Sequence, residues 1–150
     1  MIKAEDLRIG DLVHVNHSHI LPEESVCTID SVYATTSFRT EHVNLILTKQ
    51  DWRLETWDCN DIDGIPLTVE ILENNGWKLY EPSTKMYIKS NSNLAVCFPP
   101  HSDKVQVHYV VEHLRTIKYV HELQHILLAL GMDADLKIPE KSDGKEANHQ

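Results

Sequence analysis

The first half of the chain consists of short segments rich in apolar residues, which is typical of short strands. Their apolar positions are mostly β-branched or aromatic, and polar loops separate them. The segments are IGDLVHV, VCTIDSVYA, HVNLILT and WRLETWD. Four short strands with turns between them predict a small curled sheet or an SH3-like barrel, because closure hides the sheet edges.

A short helix is predicted where the hydrophobic period changes after these extended segments. Pro66 ends the extended run, Thr68 suits an N-cap, and Gly76 suits the position after a helix C-terminus. We therefore expect a helix over about residues 69–75.

The strand pattern then returns in WKLYE, KMYIKS, LAVCF and KVQVHYVVEH. In the last of these segments the alternation predicts one apolar face, formed by Val105, Val107, Tyr109 and Val111. An antiparallel meander is the simplest arrangement of these strands.

A second helix is predicted over about residues 117–130, with Thr116 as its cap and Gly131 as its stop. At 100° per residue its apolar positions form one stripe, and His121, Gln124 and His125 fall on the polar side. We expect this amphipathic helix to pack on the meander.

Together these elements predict an α+β protein. The expected organisation is an SH3-like β subdomain in residues 1–66, a helix, the meander and the C-terminal helix in residues 67–137, and a flexible tail in residues 138–150. The tail is predicted from its polarity and its lack of any period.

Charge and composition narrow the classes of partner. Fourteen Lys and Arg against 23 Asp and Glu give a formal charge of -9, which disfavours nucleic acid and anionic membranes. Cys27, Cys59 and Cys97 are odd in number and never spaced C-x-x-C, so neither a disulfide framework nor a cysteine metal site is indicated. Without an apolar leader or a long apolar run, a cytoplasmic location is expected.

One stretch carries candidate chemistry. In HELQH, residues 121–125, the spacing of His121 and His125 is that of two zinc ligands one helical turn apart, with Glu122 as general base. A zinc-dependent metallohydrolase is therefore one functional hypothesis. Its third protein ligand has to come from upstream, because Leu128 and Gly131 stand where an extended zincin motif has Gly and His. The upstream candidates are His113, His108 and His101.

Two further patterns allow binding roles. Trp52 and Trp57 lie on one predicted strand and point to opposite faces, so one of them is free to stack on a base, which gives single-stranded nucleic-acid binding as another alternative. The stretch HVNHSH brings His14, His17 and His19 close together, although a solvated polar loop explains it as well. The chain has none of the usual glycine-rich phosphate-binding motifs.

Three segments carry a family resemblance: LRIGDLV, IPLTVEILENNGW and IKYVHELQHILLALG. In order and spacing they resemble a family of small uncharacterised proteins of gut Bacteroidetes and their phages and mobile elements. The family pattern is RIGxxV, IPLTxExLxxxGF and YVHxLQNxxxALTG. His121 and Gln124 match this pattern, whereas His125 stands where it has Asn.

The resemblance implies a setting rather than a mechanism. It suggests that the family does not need a zinc-binding pair, and that His121 and Gln124 either hold the helix against the sheet or face a ligand. We therefore expect a non-enzymatic interaction or ligand-binding accessory protein with no cofactor and an unknown protein or small molecule as partner. Its candidate binding residues are His121, Gln124, Trp52 and Trp57.

Overall fold

A computed structural model describes the backbone of residues 6–15, 25–37, 40–49, 52–58 and 62–139, and the side chains of these residues outside 31–58. Strands and helices are mixed, which confirms the α+β prediction. The chain divides into two compact units. The first comprises Met1–Pro66 and Ile117–Ala134, and the second comprises Leu67–Thr116 and Asp135–Gln150.

The first unit contains an antiparallel five-stranded sheet in the order β4-β3-β2-β1-β5. Its strands are β1 (Leu12–Val15), β2 (Ser25–Ser37), β3 (Thr40–Lys49), β4 (Trp52–Asp58) and β5 (Ile62–Gly64). Over the described strands this sheet is open, with β4 and β5 at its edges, so no barrel closure is seen there. The SH3-like character stays a prediction.

The turn before β1 sets the register of this sheet. Gly10 has φ 93°, a conformation that favours glycine, and its N–H donates to the Ile29 carbonyl at 2.7 Å. The Ile29 N–H returns a bond to the Asp11 carbonyl at 2.9 Å. Val13 and Val15 then alternate into the core and are fully buried.

The second unit opens with the predicted short helix, α1 (Val69–Asn74). Thr68 caps it by accepting a hydrogen bond from the Ile71 N–H at 3.3 Å, and Gly76 follows with φ 81°. Ile71 and Leu72 are buried, which explains the apolar side of this helix. Asn75 then bonds both backbone groups of Lys137 at 2.8 Å.

The predicted meander forms the rest of this unit as a five-stranded sheet in the order β10-β9-β8-β7-β6. Its strands are β6 (Trp77–Glu81), β7 (Met86–Lys89), β8 (Leu94–Cys97), β9 (Val105–Tyr109) and β10 (Glu112–Ile117). Val105 and Val107 are buried as expected. The prediction for Val111 is wrong, because this residue lies in the turn between β9 and β10 and is 96% exposed.

The C-terminal helix, α2 (Val120–Ala129), falls in the first unit, whereas the sequence grouped it with the meander in residues 67–137. Its start is tied to the chain after β5, since the Val120 N–H donates to the Ile65 carbonyl at 2.8 Å. Thr116 is not its cap, because strand β10 runs through that residue. Residues 140–150 of the predicted tail lie outside the described residues.

The buried side of α2 is also wider than its apolar stripe. Val120, Leu123 and Leu127 are fully buried, as predicted, but His121 and Gln124 are buried with them. These two residues belong to the polar side predicted from the sequence, and the structure shows that this part of the polar side is not exposed to solvent. No helix among the described residues is long and apolar enough to span a membrane.

Candidate functional site

The carboxylate of the HELQH stretch binds the start of its own helix. Glu122 Oε2 accepts hydrogen bonds from the backbone N–H groups of Lys118 at 2.7 Å and Tyr119 at 2.9 Å. A helix leaves its first N–H groups without partners and carries partial positive charge there, so a carboxylate in the first turn stabilises it. Glu122 therefore acts as a capping residue in this structure.

Gln124 connects α2 to two other parts of the first unit. Its Oε1 accepts from the Leu12 N–H at 3.0 Å, and its Nε2 donates to the carbonyls of Gly10 and Ala134, both at 3.2 Å. The side chain is buried, so these bonds satisfy groups that water does not reach. Three bonds from one amide hold the helix, the turn before β1 and the chain after α2 together.

His125 makes the second connection to the same turn. Its Nε2 lies 2.8 Å from Asp11 Oδ1 and 3.0 Å from Oδ2. Asp11 is only 1% exposed, and its Oδ2 also accepts from the Arg8 N–H at 2.7 Å. A buried carboxylate needs such donors, because burial without them is costly. His125 thus serves as a partner for Asp11.

The His121 ring lies between the Tyr119 and His125 rings, and one of its nitrogens lacks a polar partner among the described residues. Its ring stacks on Tyr119 with centroids 5.6 Å apart and meets the His125 ring edge-on at 5.8 Å. Its Nδ1 is buried and has no hydrogen-bond partner in the described part of the chain. Burial lowers the pKa of His121 below 6.5, against the opposing effect of the Asp11 and Glu122 carboxylates. The neutral imidazole is the form that this environment favours.

The proposed zinc ligands do not assemble into a complete set. Within the residues that the structure describes, no group of three or more His, Cys, Asp or Glu side chains is arranged to hold a metal ion. His121 and His125 are neighbours, but His113 belongs to the second unit, where its Nε2 lies 3.1 Å from Thr116 Oγ1. His101 lies in an exposed loop with φ 62°.

The other predicted residues remain less defined. Trp52 and Trp57 lie opposite Lys49 and Leu45 in the register of β3 and β4, but their side chains lie outside the described residues. His17 and His19 also lie outside the described residues, while His14 is in β1. Nucleic-acid binding through these tryptophans therefore stays a prediction.

An exposed hairpin is the feature that the sequence did not reveal. Val110 and Val111 form its turn with φ 47° and 62°, and they are 53% and 96% exposed. Positive φ disfavours β-branched residues, which is why the run HYVVEH gives no turn signal. The one available signal was the length of the extended segment KVQVHYVVEH, which is long for a single strand.

Comparison with protein-family models, curated proteins and solved structures gives no significant match. The resemblance to the gut Bacteroidetes family therefore stays a prediction, and the chemistry of the described residues carries the functional argument.

Proposed function

We propose that this chain is a non-enzymatic interaction module in which HELQH is a structural element. The observation that carries the proposal is the position of Glu122, which accepts two backbone hydrogen bonds at the start of α2. A metallohydrolase needs that carboxylate beside a metal-bound water. In this structure it stabilises the helix instead.

The neighbouring side chains support the same proposal. Gln124 uses its carbonyl and its amide group in bonds to the backbone, and His125 is paired with the buried Asp11. An imidazole held by a carboxylate is not by itself evidence against a metal, since such pairs orient metal ligands as well. Here, however, the described residues offer no third ligand.

The phage or mobile-element setting, the cytoplasmic location and the SH3-like character of the first sheet belong to this proposal. They rest on the sequence resemblance and on composition. The partner is a protein or a small molecule, and the described surface points to the exposed hairpin as a place to look for its contact.

The test compares zinc content and hydrolysis with the effect of two substitutions at Glu122. We expect the untagged protein, purified without chelator, to hold less than about a tenth of an equivalent of zinc. It should not hydrolyse a mixed peptide library, with or without added zinc. Stoichiometric zinc together with hydrolysis that Glu122→Gln abolishes would overturn the proposal.

The same substitutions measure the capping role. Glu122→Ala should lower the free energy of unfolding by about 1 kcal/mol, because the two N–H groups lose their acceptor. Glu122→Gln keeps an oxygen there and should cost clearly less. A protein captured with the wild-type chain from its native cells should be captured equally by Glu122→Gln, whereas a substrate-like partner would accumulate on that variant.

A further inference from the structure

Besides the exposed hairpin, the second unit has an accessible surface at the C-terminal end of α1, and this surface already holds a piece of the chain. Residues 135–139 belong to the same unit and form neither helix nor strand. Among them Lys137 bonds Asn75 through both of its backbone groups, and these two bonds are exposed to solvent. A segment held by exposed side-chain bonds rather than by a strand ladder opens at a low cost.

The Asn75 side chain binds this backbone and is itself held in place by the helix. Its Nδ2 donates to the Ile71 carbonyl at 2.7 Å, and Ile71 is among the last helical residues, whose carbonyls a helix leaves without partners. Nδ2 also donates to the Lys137 carbonyl, and Oδ1 accepts from the Lys137 N–H, both at 2.8 Å. The N–H and C=O of one residue point to the same side only in an extended chain, as in a hydrogen-bonded pair of an antiparallel sheet. The bound segment is therefore extended at Lys137.

The side chains of the bound segment comprise one buried anchor and exposed neighbours. Leu136 is 5% exposed, whereas Asp135 and Lys137 on either side of it are exposed. Ile138 is half-buried and precedes Pro139, which restricts it to extended conformations. The bound sequence is thus a leucine, a residue with an exposed side chain, and an isoleucine held extended by proline. The amide holds the backbone of the middle residue, so the side chain there is free to vary.

We propose that the end of α1 is a docking site for an extended segment of a partner protein that carries a leucine, any residue, and an isoleucine-proline pair in this order. Residues 136–139, called the strap below, occupy the site within the chain, and the partner segment displaces them. Asn75 would hold the partner's backbone as it holds that of Lys137, and the partner's leucine would take the place of Leu136. This inference rests on the proposed function as an interaction module and names its surface and its kind of partner.

The strap determines how easily a partner binds. A partner meets the site only in the fraction of molecules in which the strap has left it, so the apparent affinity is reduced by that fraction. One buried side chain and two exposed hydrogen bonds hold the strap weakly enough for such a fraction to exist. The strap thus acts as an autoinhibitory contact, and weakening it should make the site more available.

A second copy of the chain is a poorer occupant than a different protein. The strap of another copy would make the same contacts as the chain's own strap, but the chain's own strap is tethered and has the higher effective concentration. Exchange between two copies therefore gains no contact and loses translational freedom. A partner segment displaces the strap only if it makes contacts beyond these four residues, which a different sequence can provide.

The test uses the full chain and a fluorescein-labelled peptide of residues 132–140, MDADLKIPE. Leu136→Ser in the chain weakens the strap without changing Asn75. Fluorescence anisotropy should show at least about tenfold tighter peptide binding to this variant than to the wild-type chain, because burial of the leucine no longer favours the strap. Leu136→Ser in the peptide should weaken binding about tenfold, whereas Lys137→Ala in the peptide should change it less than about threefold.

Two comparisons locate the contact at Asn75. N-methylation of the peptide at the Lys137 position removes the N–H that Oδ1 accepts, leaves the protein unchanged, and should weaken binding about tenfold. Asn75→Ala, added to the Leu136→Ser chain, should weaken binding at least as much. Asn74→Ala, the same change at the exposed neighbouring asparagine, should change binding less than about threefold.

Circular dichroism establishes which variants are folded, and the N-methylated peptide tests the contact even if Asn75→Ala does not fold. Absence of binding to the Leu136→Ser chain at about 1 mM peptide, or equal binding of the methylated and unmodified peptides, would overturn the docking site. Equal binding by the wild-type and Leu136→Ser chains would overturn the strap, as would a wild-type dimer in sedimentation that Leu136→Ser dissociates. None of these outcomes affects the zinc and hydrolysis test, so failure of this inference is distinguishable from failure of the proposed function.

Discussion

Two pairs of histidines meet in this protein with similar ring geometry and opposite surroundings. His121 and His125 are 5.8 Å apart at 68°, and His108 and His113 are 5.4 Å apart at 74°. The first pair lies in the buried side of α2 beside Asp11 and Gln124, whereas His113 is exposed on an open edge strand. The pair that belongs to the HELQH motif is enclosed by the first unit, whereas the pair that belongs to no motif reaches the surface at His113.

The difference shows how little a short motif says about chemistry without its surroundings. Around α2, the polar groups of Glu122, Gln124 and His125 are bonded within the first unit. In β10 the residues from Glu112 to Thr116 are exposed, and the His113 ring bonds the Thr116 hydroxyl of the same strand. Function in this molecule is therefore expected where bonding capacity remains, rather than where the letters match a motif.

The largest loss of stability should come from removing the Gln124 side-chain amide, which holds α2 beside the turn before β1. Gln124→Met keeps a similar volume but loses three hydrogen bonds, and the half-buried Leu12 N–H loses its acceptor. We expect the free energy of unfolding to fall by about 3 kcal/mol in urea denaturation. Leu128→Ala, at a residue that is 54% exposed on the same helix, should cost less than about 1 kcal/mol. Equal losses of unfolding free energy in the two variants would show that the Gln124 hydrogen bonds do not stabilise the fold.

A somewhat smaller effect is expected where Gly64 allows Tyr119 to stack on His121. A Cβ at position 64 would lie 2.5 Å from the Tyr119 ring, so Gly64→Ala forces the ring or the strand to move. The cost should be about 2 kcal/mol by urea denaturation. In a Tyr119→Ala background the same change should cost much less, because the obstructing ring is gone. An unchanged penalty there would place the strain elsewhere.

Much of the local structure was predictable from the sequence. The α+β class, α1 with Thr68 as its cap, and the alternating burial of Val105 and Val107 follow from short-range patterns. The unit to which α2 belongs was not predictable. Its apolar stripe suits any sheet, and its place depends on the Val120 bond to Ile65 and on Gln124, which join residues far apart in sequence.

The candidate site shows the same limit. HELQH was found at once, but its role depends on Asp11 and on the backbone groups that Glu122 accepts from, and the motif itself names neither partner. The exposed edge was missed because Val110 and Val111 are strand-forming residues in a turn. Sequence reasoning follows intrinsic preference, and here the tertiary structure overrides it.

Substitutions in the hairpin turn between β9 and β10 are expected to raise the free energy of unfolding rather than lower it. Asn and Gly adopt positive φ more easily than valine, so Val110→Asn combined with Val111→Gly should raise the free energy of unfolding by about 1 to 2 kcal/mol. Val111→Ala removes the exposed side chain while keeping most of the backbone strain, and should change stability by less than about 0.5 kcal/mol. Thermal denaturation compares the three proteins. Destabilisation of the Asn-Gly variant would mean that the valine side chains stabilise the turn through contacts.

The smallest effect on stability is expected from pH, and it concerns His121 of the enclosed pair. Burial lowers the pKa of His121 below 6.5, so the unfolded chain binds a proton more tightly than the folded chain does. The free energy of unfolding should therefore fall as the pH drops below about 6.5 and level off below the folded pKa. His121→Phe keeps a ring beside Tyr119 but does not titrate, and urea denaturation at several pH values should show a smaller fall. If the fall persists undiminished in His121→Phe, burial of His121 is not its cause.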